Sequence, residues 1–491
     1  MFKRSVSWVL TVCTLLSMVA LAGCGEGTNE PAADTSADVA ETVEETKDAL
    51  EARLDVSDDL PDADFEGKTF MICGDDACLS YYLVEEQTGE VVNDAVFQRN
   101  LNVQERYNVS IDANVFPEGD IMKNVKNSVL AADDAYQMIA CHIIYQGMAA
   151  VDGTMYNWYD LPYVNFDKPW WSFSTKEDLT YKDMAFIAIG DFGLSSIYST
   201  YCMFYNKEMA VEHNLPDMYE LVNSGEWTLD KMMELCDGVY TDLNGDGERN
   251  LEDKHALITD CKSAANSYLW AFGKKIATQQ ADGTYDLSYY DDKLVSIVER
   301  MYNLYYESGY VFTDPQSWGD TYLPAFIEGR GLFVNGQFKQ ATGTYRDVEF
   351  DFGIIPYPKY NEEQETYFTV AGGSVSSSAI PLTALRDDVV ATMFAALSAE
   401  TWKSVMPQYY DVVLKYKGAR DEASIAMIDT ILDGRSLGFE FIYDAFSGFV
   451  YKTATILSGN VALPTYVAQQ QKPVVKHYEK VRDLFFPELG G

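Results

Sequence analysis

The sequence predicts an α/β protein built from two lobes. Strands are predicted over Lys68–Cys73, Val109–Ala113 and Ala135–Ala140, and an amphipathic helix over Val92–Arg106. A strand, a helix and a second strand in this order favour a parallel sheet with helices on its faces. The chain after Phe65 has about 425 residues, more than one hydrophobic core usually supports, so two lobes are expected.

The N-terminus has the pattern of an export signal. Two basic residues precede an apolar run over residues 8–21, and the run ends in Leu21-Ala22-Gly23-Cys24. This stretch resembles the bacterial lipobox, which implies removal of residues 1–23 and attachment of diacylglycerol to Cys24. The alternative is an uncleaved transmembrane helix, but the run is short for a hydrocarbon core of about 30 Å. The expected location is the extracellular face of the cell membrane, held by a lipid anchor.

The charge of the chain argues against several partners. The sequence has 76 acidic and 36 basic side chains, a formal charge of -40, and loss of Lys3 and Arg4 with the signal would make it more acidic. Such a charge repels phosphate backbones and anionic lipid. We therefore expect no nucleic-acid partner and membrane contact through the lipid anchor only, and an anionic ligand would need a local basic pocket.

The segment after the signal is predicted to be a tether. From Gly25 to about Pro61 the chain is rich in Ala, Thr, Asp and Glu and has no aromatic residue. Such a composition cannot bury enough apolar surface to fold. Residues 24–64 are therefore expected to form a lipidated cysteine followed by a disordered acidic tether.

The cysteines leave one question open. Of the cysteines beyond Cys24, Cys73 and Cys78 are the only close pair. Four intervening residues permit a disulfide but do not require it. An apolar content of 47% is enough for a core that needs no disulfides.

Several segments resemble one known family. They are Phe186–Gly190 followed by MFYNKEM (203–209), FIEGRGLF (326–333), GIIPYPK (353–359) and GGSVSSSAIP (372–381). In this order they resemble the bacterial extracellular solute-binding protein family 1, the sugar-binding group that includes maltose-binding protein. The chain departs from the better known members in an aromatic-rich segment from Trp158 to Asp191 and in an inserted acidic loop.

The resemblance implies a type II periplasmic-binding-protein (Venus-flytrap) fold with hinge strands between two α/β lobes. The first lobe would comprise residues 65–195 and about 355–395, and the second about 196–354 and about 396–491. Crossings are expected near 190–206, near 340–356 and near 395. The implied protein is a monomer that closes on a small ligand and delivers it to the permease of an ABC transporter.

The acidic loop Asp242–Asp253 (DLNGDGERNLED) predicts a calcium site. It has oxygen-bearing residues at the spacing of an EF-hand loop and a glycine at the sixth position, and it resembles the dockerin-type calcium loop. The predicted ligands are Asp242, Asn244, Asp246, Glu248, Asn250 and Asp253. The alternative is an acidic turn without metal. A helix is predicted before the loop, over Thr228–Val239.

Aromatic residues make up 14% of the chain, and their rings can stack on the apolar faces of sugars. The candidate cleft aromatics, for each of which core packing is the alternative, are Trp170, Trp171, Tyr198, Tyr201, Trp270, Trp318, Phe338 and Tyr443. Asp191 and Gln337 are predicted to hydrogen-bond sugar hydroxyls. The predicted ligand is a neutral sugar or oligosaccharide.

Two other classes of function stay open. A secreted glycoside hydrolase needs a pair of carboxylates, which a chain with 76 acidic residues always offers. A surface glycan-binding adhesin would hold a polymer without delivering it. We expect no enzyme, because the sequence contains no GxSxG, HExxH or P-loop motif, and its four histidines show no metal-ligand spacing.

Overall fold

The computed structural model describes residues 51–171, 175–176, 178–181, 183–261, 263–280, 285–287, 290–315, 321–373, 375–384, 387–443 and 462–487. The signal, Cys24 and Trp318 lie outside these residues. Two units are distinguished, Met1–Ala52 and Arg53–Gly491, and the description below concerns the second. Within the described part, no helix has the length and apolar character needed to cross a membrane.

Thirteen strands and sixteen α-helices are described in this part of the chain. The strands are β1 Lys68–Gly74, β2 Val109–Val115, β3 Met138–His142, β4 Tyr201–Asn206, β5 His255–Asp260, β6 Ala277–Gln279, β7 Tyr285–Leu287, β8 Val311–Asp314, β9 Gly331–Gln337, β10 Phe352–Ile355, β11 Thr369–Val370, β12 Ser376–Ala379 and β13 Arg435–Ser436. The helices are α1 Asp76–Leu79, α2 Val91–Tyr107, α3 Glu118–Ala131, α4 Ile143–Val151, α5 Ser195–Tyr198, α6 Lys207–Glu212, α7 Met218–Asn223, α8 Leu229–Cys236, α9 Ser263–Ala271, α10 Asp292–Tyr302, α11 Leu323–Ile327, α12 Phe338–Thr342, α13 Asp387–Glu400, α14 Glu422–Asp433, α15 Phe439–Tyr443 and α16 Leu463–Phe485. Short π-helical segments cover Asn303–Glu307, Thr401–Val405 and Gln408–Gly418, and Trp158–Asp160 forms a 3₁₀ turn.

The first sheet has the strand order β12-β3-β1-β2. Its β1 pairs in parallel with both β2 and β3, which confirms the predicted parallel β-α-β unit. Helix α2 connects β1 to β2, and the Glu90 side chain caps its first turn by accepting from the Val92 and Asn93 amides. The third strand starts at Met138, later than predicted, because Asp134 adopts a left-handed conformation and places a turn before the strand.

The second sheet has the order β10-β4-β9-β5-β8. Here β5 is parallel to β8 and β9, whereas β4 is antiparallel to β9 and β10. The predicted helix before the acidic loop is confirmed as α8, although it ends at Cys236 rather than at Val239, and Thr228 caps it by accepting from the Lys231 amide. Together the two sheets and their helices form the predicted two-lobe α/β fold.

The chain passes between the sheets at one common edge. Strand β4 begins at Tyr201, which pairs with Gln337 at the carboxyl end of β9. Strand β12 begins at Ser376, which pairs with His142 at the carboxyl end of β3. The carboxyl ends of the parallel strands in both sheets therefore adjoin the crossing segments, the position where α/β sheets bind ligands.

The distribution of the chain between the lobes differs from the expectation in several places. Tyr357, Tyr367 and Val370 join the core of the second sheet, although residues from about 355 were expected in the first lobe. Helix α15 packs on α4 of the first lobe, although all residues after about 396 were expected in the second. Helix α16 is shared, because Leu463 to Tyr478 join the core of the second sheet and Val481 to Phe486 join that of the first. The C-terminal part of the chain thus returns to the first lobe.

Contacts with the first lobe begin before the expected start at Phe65. The Arg53 guanidinium donates to the Trp402 carbonyl (3.1 Å). Further along, Lys168 donates to the Ser57 carbonyl (2.9 Å), and Asp58 pairs with Arg106. Residues from Arg53 on therefore belong to the folded part, because they make specific contacts with it.

Candidate functional site

Three crossing segments lie side by side between the sheets. Thr200 forms a β-bridge with Ala371, and the Ser199 carbonyl accepts from the Gly372 amide (2.9 Å). The same carbonyl accepts from Nε2 of Gln337 (3.1 Å). Strand β11 pairs in parallel with β13, which adds the third segment. The side-chain amide of Gln337, which was predicted to contact the ligand, thus donates a hydrogen bond that links two of the crossing segments.

Tyrosine side chains line the second-lobe side of this region. The ring of Tyr357, just after β10, lies 4.8 Å from that of Tyr268 and 6.3 Å from that of Tyr201. Tyr305 approaches Tyr268 at 6.3 Å between centroids. Burial raises the pKa of Tyr268, Tyr305 and Tyr357, so their hydroxyls stay protonated and can donate hydrogen bonds.

Polar atoms in this tyrosine cluster lack partners. The Tyr357 hydroxyl and Oδ1 of Asn335 are buried without a hydrogen bond. Asn335 is fully buried two residues before the end of β9, and its Nδ2 donates to the Tyr268 hydroxyl (3.3 Å). Buried polar groups are nearly always satisfied in proteins, so unpaired ones at a strand end indicate a ligand position.

The first-lobe side has a similar arrangement at the end of β1. Oδ1 of Asp75 accepts from the Cys78 amide (3.1 Å), whereas its Oδ2 is buried without a partner. The Ser376 carbonyl accepts from Tyr82 (2.9 Å) and Ser195 (2.8 Å), and its hydroxyl lies beside Cys78 and Tyr82. Unpaired hydrogen-bonding groups therefore occur on both sides of the crossing region.

A histidine at the end of β3 lies next to a carboxylate. Nδ1 of His142 lies 2.7 Å from Oε1 of Glu118, and its ring stacks on Tyr145.

Cys73 and Cys78 are both free and buried, and burial raises the pKa of the Cys73 thiol to about 12. These thiols are therefore protonated and unreactive at neutral pH.

Two opposite charges occupy the crossing region itself. Asp191 follows Gly190, its side chain is partly exposed, and its amide donates to the Trp170 carbonyl (2.8 Å). Arg435, the first residue of β13, makes one long contact from Nη1 to Oγ1 of Thr200 (3.5 Å). Burial raises the pKa of Asp191 to about 7, although Arg435 and Arg53 oppose the change.

The sequence did not single out Arg435. Its position depends on Gly434, where a Cβ atom would lie 1.9 Å from the Tyr367 carbonyl oxygen. Only glycine allows this close approach, which brings β13 beside β11. The sequence signal for this position is Gly434, which directly follows the helix α14 and precedes Arg435.

The predicted tryptophan pair lies in the first-lobe core. Trp170 is 1% and Trp171 7% exposed, and the Trp171 ring packs against Trp158 and Phe166 at 5.7 and 5.1 Å between centroids. Their backbone adjoins the site, because Trp171 bridges Gly190. The two rings therefore support the segment that carries Asp191 rather than presenting an open surface.

The other predicted aromatics are spread over three regions. Tyr201 joins the tyrosine cluster, whereas Tyr198 lies between Tyr81 (5.9 Å) and Tyr409 (4.2 Å). Phe338 is fully buried among residues of the second sheet. The structure thus brings Asp191, Tyr201 and Gln337 to the crossing region.

Trp270 and Tyr443 are core residues of opposite lobes. Trp270, on α9, is 7% exposed within the second-lobe core, and Tyr443, on α15, is 1% exposed in the first-lobe core. Both rings therefore pack within the hydrophobic cores.

The acidic loop folds around its own carboxylates. The Asp242 carboxylate accepts from the Gly245 (2.7 Å) and Gly247 (3.0 Å) amides, and both glycines are left-handed. Asp253 is buried and accepts from the Leu243 and Asn250 amides and from the Tyr240 hydroxyl. Both of its oxygens therefore accept hydrogen bonds within the protein.

The other oxygen-bearing side chains of the acidic loop have the chemistry of ligands for a hard cation. Carboxylate and amide oxygens of Asp242, Asn244 and Asp246 are of the type that calcium prefers. Within the described part of the chain, no group of three or more His, Cys, Asp or Glu side chains is arranged to hold a metal. Calcium binding at this loop stays a prediction.

Removal of calcium is expected to lower the thermal midpoint, because a metal that binds only the folded state stabilises it. The measurement is thermal unfolding with and without EGTA, beside metal analysis of the purified protein. Asp246→Ala should abolish the difference between the two curves. Identical curves for the wild-type protein, with no bound metal, would identify the loop as an acidic turn.

Comparisons of the chain with known proteins define its fold. No protein-family model matches the chain, and neither does any curated protein. Among solved structures, the sugar-binding protein MalE from Xanthomonas citri has a TM-score of 0.58 and 12% identity, covering 85% of this chain and 99% of that one. The GacH receptor of Streptomyces glaucescens, solved unliganded and with acarbose, has a TM-score of 0.55 and 12% identity over 84% of this chain and 99% of its own.

A third similar structure is the maltose-binding periplasmic protein MalE from Listeria monocytogenes in complex with maltose. Its TM-score is 0.52 and its identity 14%, covering 84% of this chain and 97% of that one. These similarities span nearly the whole length of each known protein. They show that the chain has the two-lobe fold of periplasmic sugar-binding proteins.

Proposed function

We propose that the protein captures a neutral sugar or short oligosaccharide between its lobes. The observation that carries this proposal is the set of unpaired buried polar atoms on both sides of the crossing region. A sugar hydroxyl both donates and accepts a hydrogen bond, so one ligand can serve the Asp75 carboxylate, the Asn335 amide oxygen and the Tyr357 hydroxyl. The neighbouring tyrosine rings offer surfaces of the kind that pack on sugars.

Delivery to an ABC transporter is the second part of the proposal. Solved structures with this fold include proteins whose ligands are maltose and acarbose. A lipid on Cys24 would hold the protein at the extracellular face of the membrane, next to a permease. Closure of the lobes around a ligand would then give the permease a signal of occupancy.

Neutral oligosaccharides are expected to raise the thermal midpoint of the protein. A ligand at a hundred times its Kd stabilises the folded state by about 2.7 kcal/mol. The measurement is a thermal-shift screen with maltose, maltotriose, other neutral oligosaccharides and glucuronic acid, followed by calorimetry on each hit. A screen in which no saccharide shifts the midpoint would refute the proposal, and hydrolysed sugar in the mixture would favour the glycosidase.

The Tyr357→Phe variant is expected to bind maltotriose or another hit about tenfold more weakly, a loss of about 1.4 kcal/mol. Its free stability should stay near the wild-type value, because the hydroxyl has no partner in the protein. Tyr163→Phe is the matched control, since Tyr163 is 47% exposed. Equal affinities for both variants would remove Tyr357 from the site.

A further inference from the structure

We propose that residues 53–64 form a clasp on a hinge between the lobes, so that the N-terminal end of the folded part restrains the motion of one lobe against the other. The inference goes beyond the proposed function, because it assigns a conformational role to a segment outside the ligand region. The hinge is the π-helical segment Thr401–Val405, and the contact that defines the clasp joins the Arg53 guanidinium to the Trp402 carbonyl.

The segment Thr401–Val405 carries the chain from one lobe to the other. Before it, α13 packs in the first-lobe core, where Phe394 lies against Phe70 at 5.5 Å between ring centroids. After it, Val405 and Tyr409 join the core of the second sheet. The passage is short, so a movement of one lobe against the other must change the backbone angles of these few residues.

The backbone hydrogen bonds of this hinge leave one carbonyl without a regular donor. In a π-helix each carbonyl accepts from the amide five residues later. The Met406 amide donates to the Thr401 carbonyl in this way. The Trp402 carbonyl would need the amide of the next residue, Pro407, and proline has no N–H. The hinge therefore needs a donor from another part of the chain.

Arg53 supplies this donor. Its Nη1 lies 3.1 Å from the Trp402 carbonyl oxygen, and its guanidinium lies over the Trp402 ring, 5.0 Å from the centroid. A charged donor makes a stronger hydrogen bond than a neutral one, and the position over the ring adds a cation–π contact. One side chain thus holds both the backbone and the ring of a hinge residue.

The rest of the clasp is fixed to the first lobe. Lys168 donates to the Ser57 carbonyl (2.9 Å), and Asp58 pairs with Arg106 of α2. The apolar side chains that pack against the first-lobe core are those of Val56, Leu60 and Ala63. The clasp therefore links a firm support on one lobe to the hinge. Without it the lobes would sample more orientations, and ordering them around a ligand would cost more free energy.

The first arm of the test needs no ligand. Amide hydrogen exchange is compared between the free wild-type protein and Arg53→Ala, and peptides that cover Thr401–Val405 report on the hinge. We expect exchange about tenfold faster in these peptides only, because the hinge loses a hydrogen bond and opens more often. Asp59→Asn is the matched control, since Asp59 belongs to the clasp but pairs with Lys168 on the first lobe. Unchanged exchange in Arg53→Ala, or faster exchange spread over the whole first lobe, would overturn the inference.

The second arm rests on the proposed function and uses maltotriose, or the best hit of the screen, in calorimetry. We expect Arg53→Ala to bind about threefold more weakly or worse, whereas Asp59→Asn binds like the wild type. Faster exchange with unchanged affinity would overturn the restraint on lobe motion while the proposed function stands. A screen without any saccharide hit would refute the proposed function, and the exchange measurement would still decide whether the clasp holds the hinge.

Discussion

Replacing Arg99 by methionine is expected to destabilise the protein by about 2–4 kcal/mol, because buried hydrogen bonds are lost. Arg99 is 1% exposed and has no carboxylate partner among the described residues. Its guanidinium donates to the carbonyls of Phe192 (2.9 Å) and Tyr82 (2.5 Å) and to Oγ1 of Thr401 (3.0 Å). Methionine fills a similar space but removes the side-chain donor of the Phe192 carbonyl, whereas the Tyr82 carbonyl still accepts from Nδ2 of Asn100 (3.0 Å). A buried acceptor left unsatisfied costs about 1–3 kcal/mol.

The matched control lies on the same helix. Arg106 keeps 44% of its side chain exposed and pairs with Asp58, so Arg106→Met should cost no more than about 1 kcal/mol. Urea unfolding of the two variants gives the comparison. Equal losses of unfolding free energy in both would contradict the role of Arg99 in joining α2 to the crossing segment at Phe192.

Replacing Trp171 by alanine is the second substitution with a large expected effect, about 3–5 kcal/mol of lost stability. The ring packs against Trp158 and Phe166, and it fills the space left by Gly190, whose Cβ would lie 2.7 Å from it. Alanine would leave a cavity beneath the segment that carries Asp191. Thermal unfolding of the free protein measures the effect.

Tyr163→Ala provides the comparison within the same aromatic-rich segment. Tyr163 is 47% exposed, and surface substitutions of this kind change stability by about 0.5 kcal/mol or less. If Trp171→Ala instead melts like the wild type but binds sugar more weakly, the ring is a ligand platform, as the sequence suggested.

The local pattern of the sequence was sufficient to predict several helices and strands and the α/β fold class. The apolar run Lys68–Cys73 predicted a strand, and the amphipathic pattern of Val92–Arg106 predicted a helix. The structure confirms both elements within one residue at each end. Thr228 predicted the start of α8, since its side chain caps that helix. Such signals depend on neighbours along the chain, which is why a single sequence contains them.

The sequence could not show whether a given large aromatic side chain binds ligand or packs in the core. The composition supports either a sugar platform or a core residue for Trp171, because both use the same apolar ring. Only tertiary packing shows that Trp158, Phe166 and Gly190 surround it. Conversely, Asn335 resembles an ordinary strand residue until its buried, unpaired oxygen is located.

The sequence by itself determined the β-α-β order, the helix caps and the acidic composition of this protein. The tertiary structure alone decided that the carboxyl edges of the two sheets share the crossing region and that Arg435 lies in it. The physical reason is that β13 reaches its place by pairing with β11 and through the close approach at Gly434. These contacts join residues far apart in the chain, and no local periodicity encodes them.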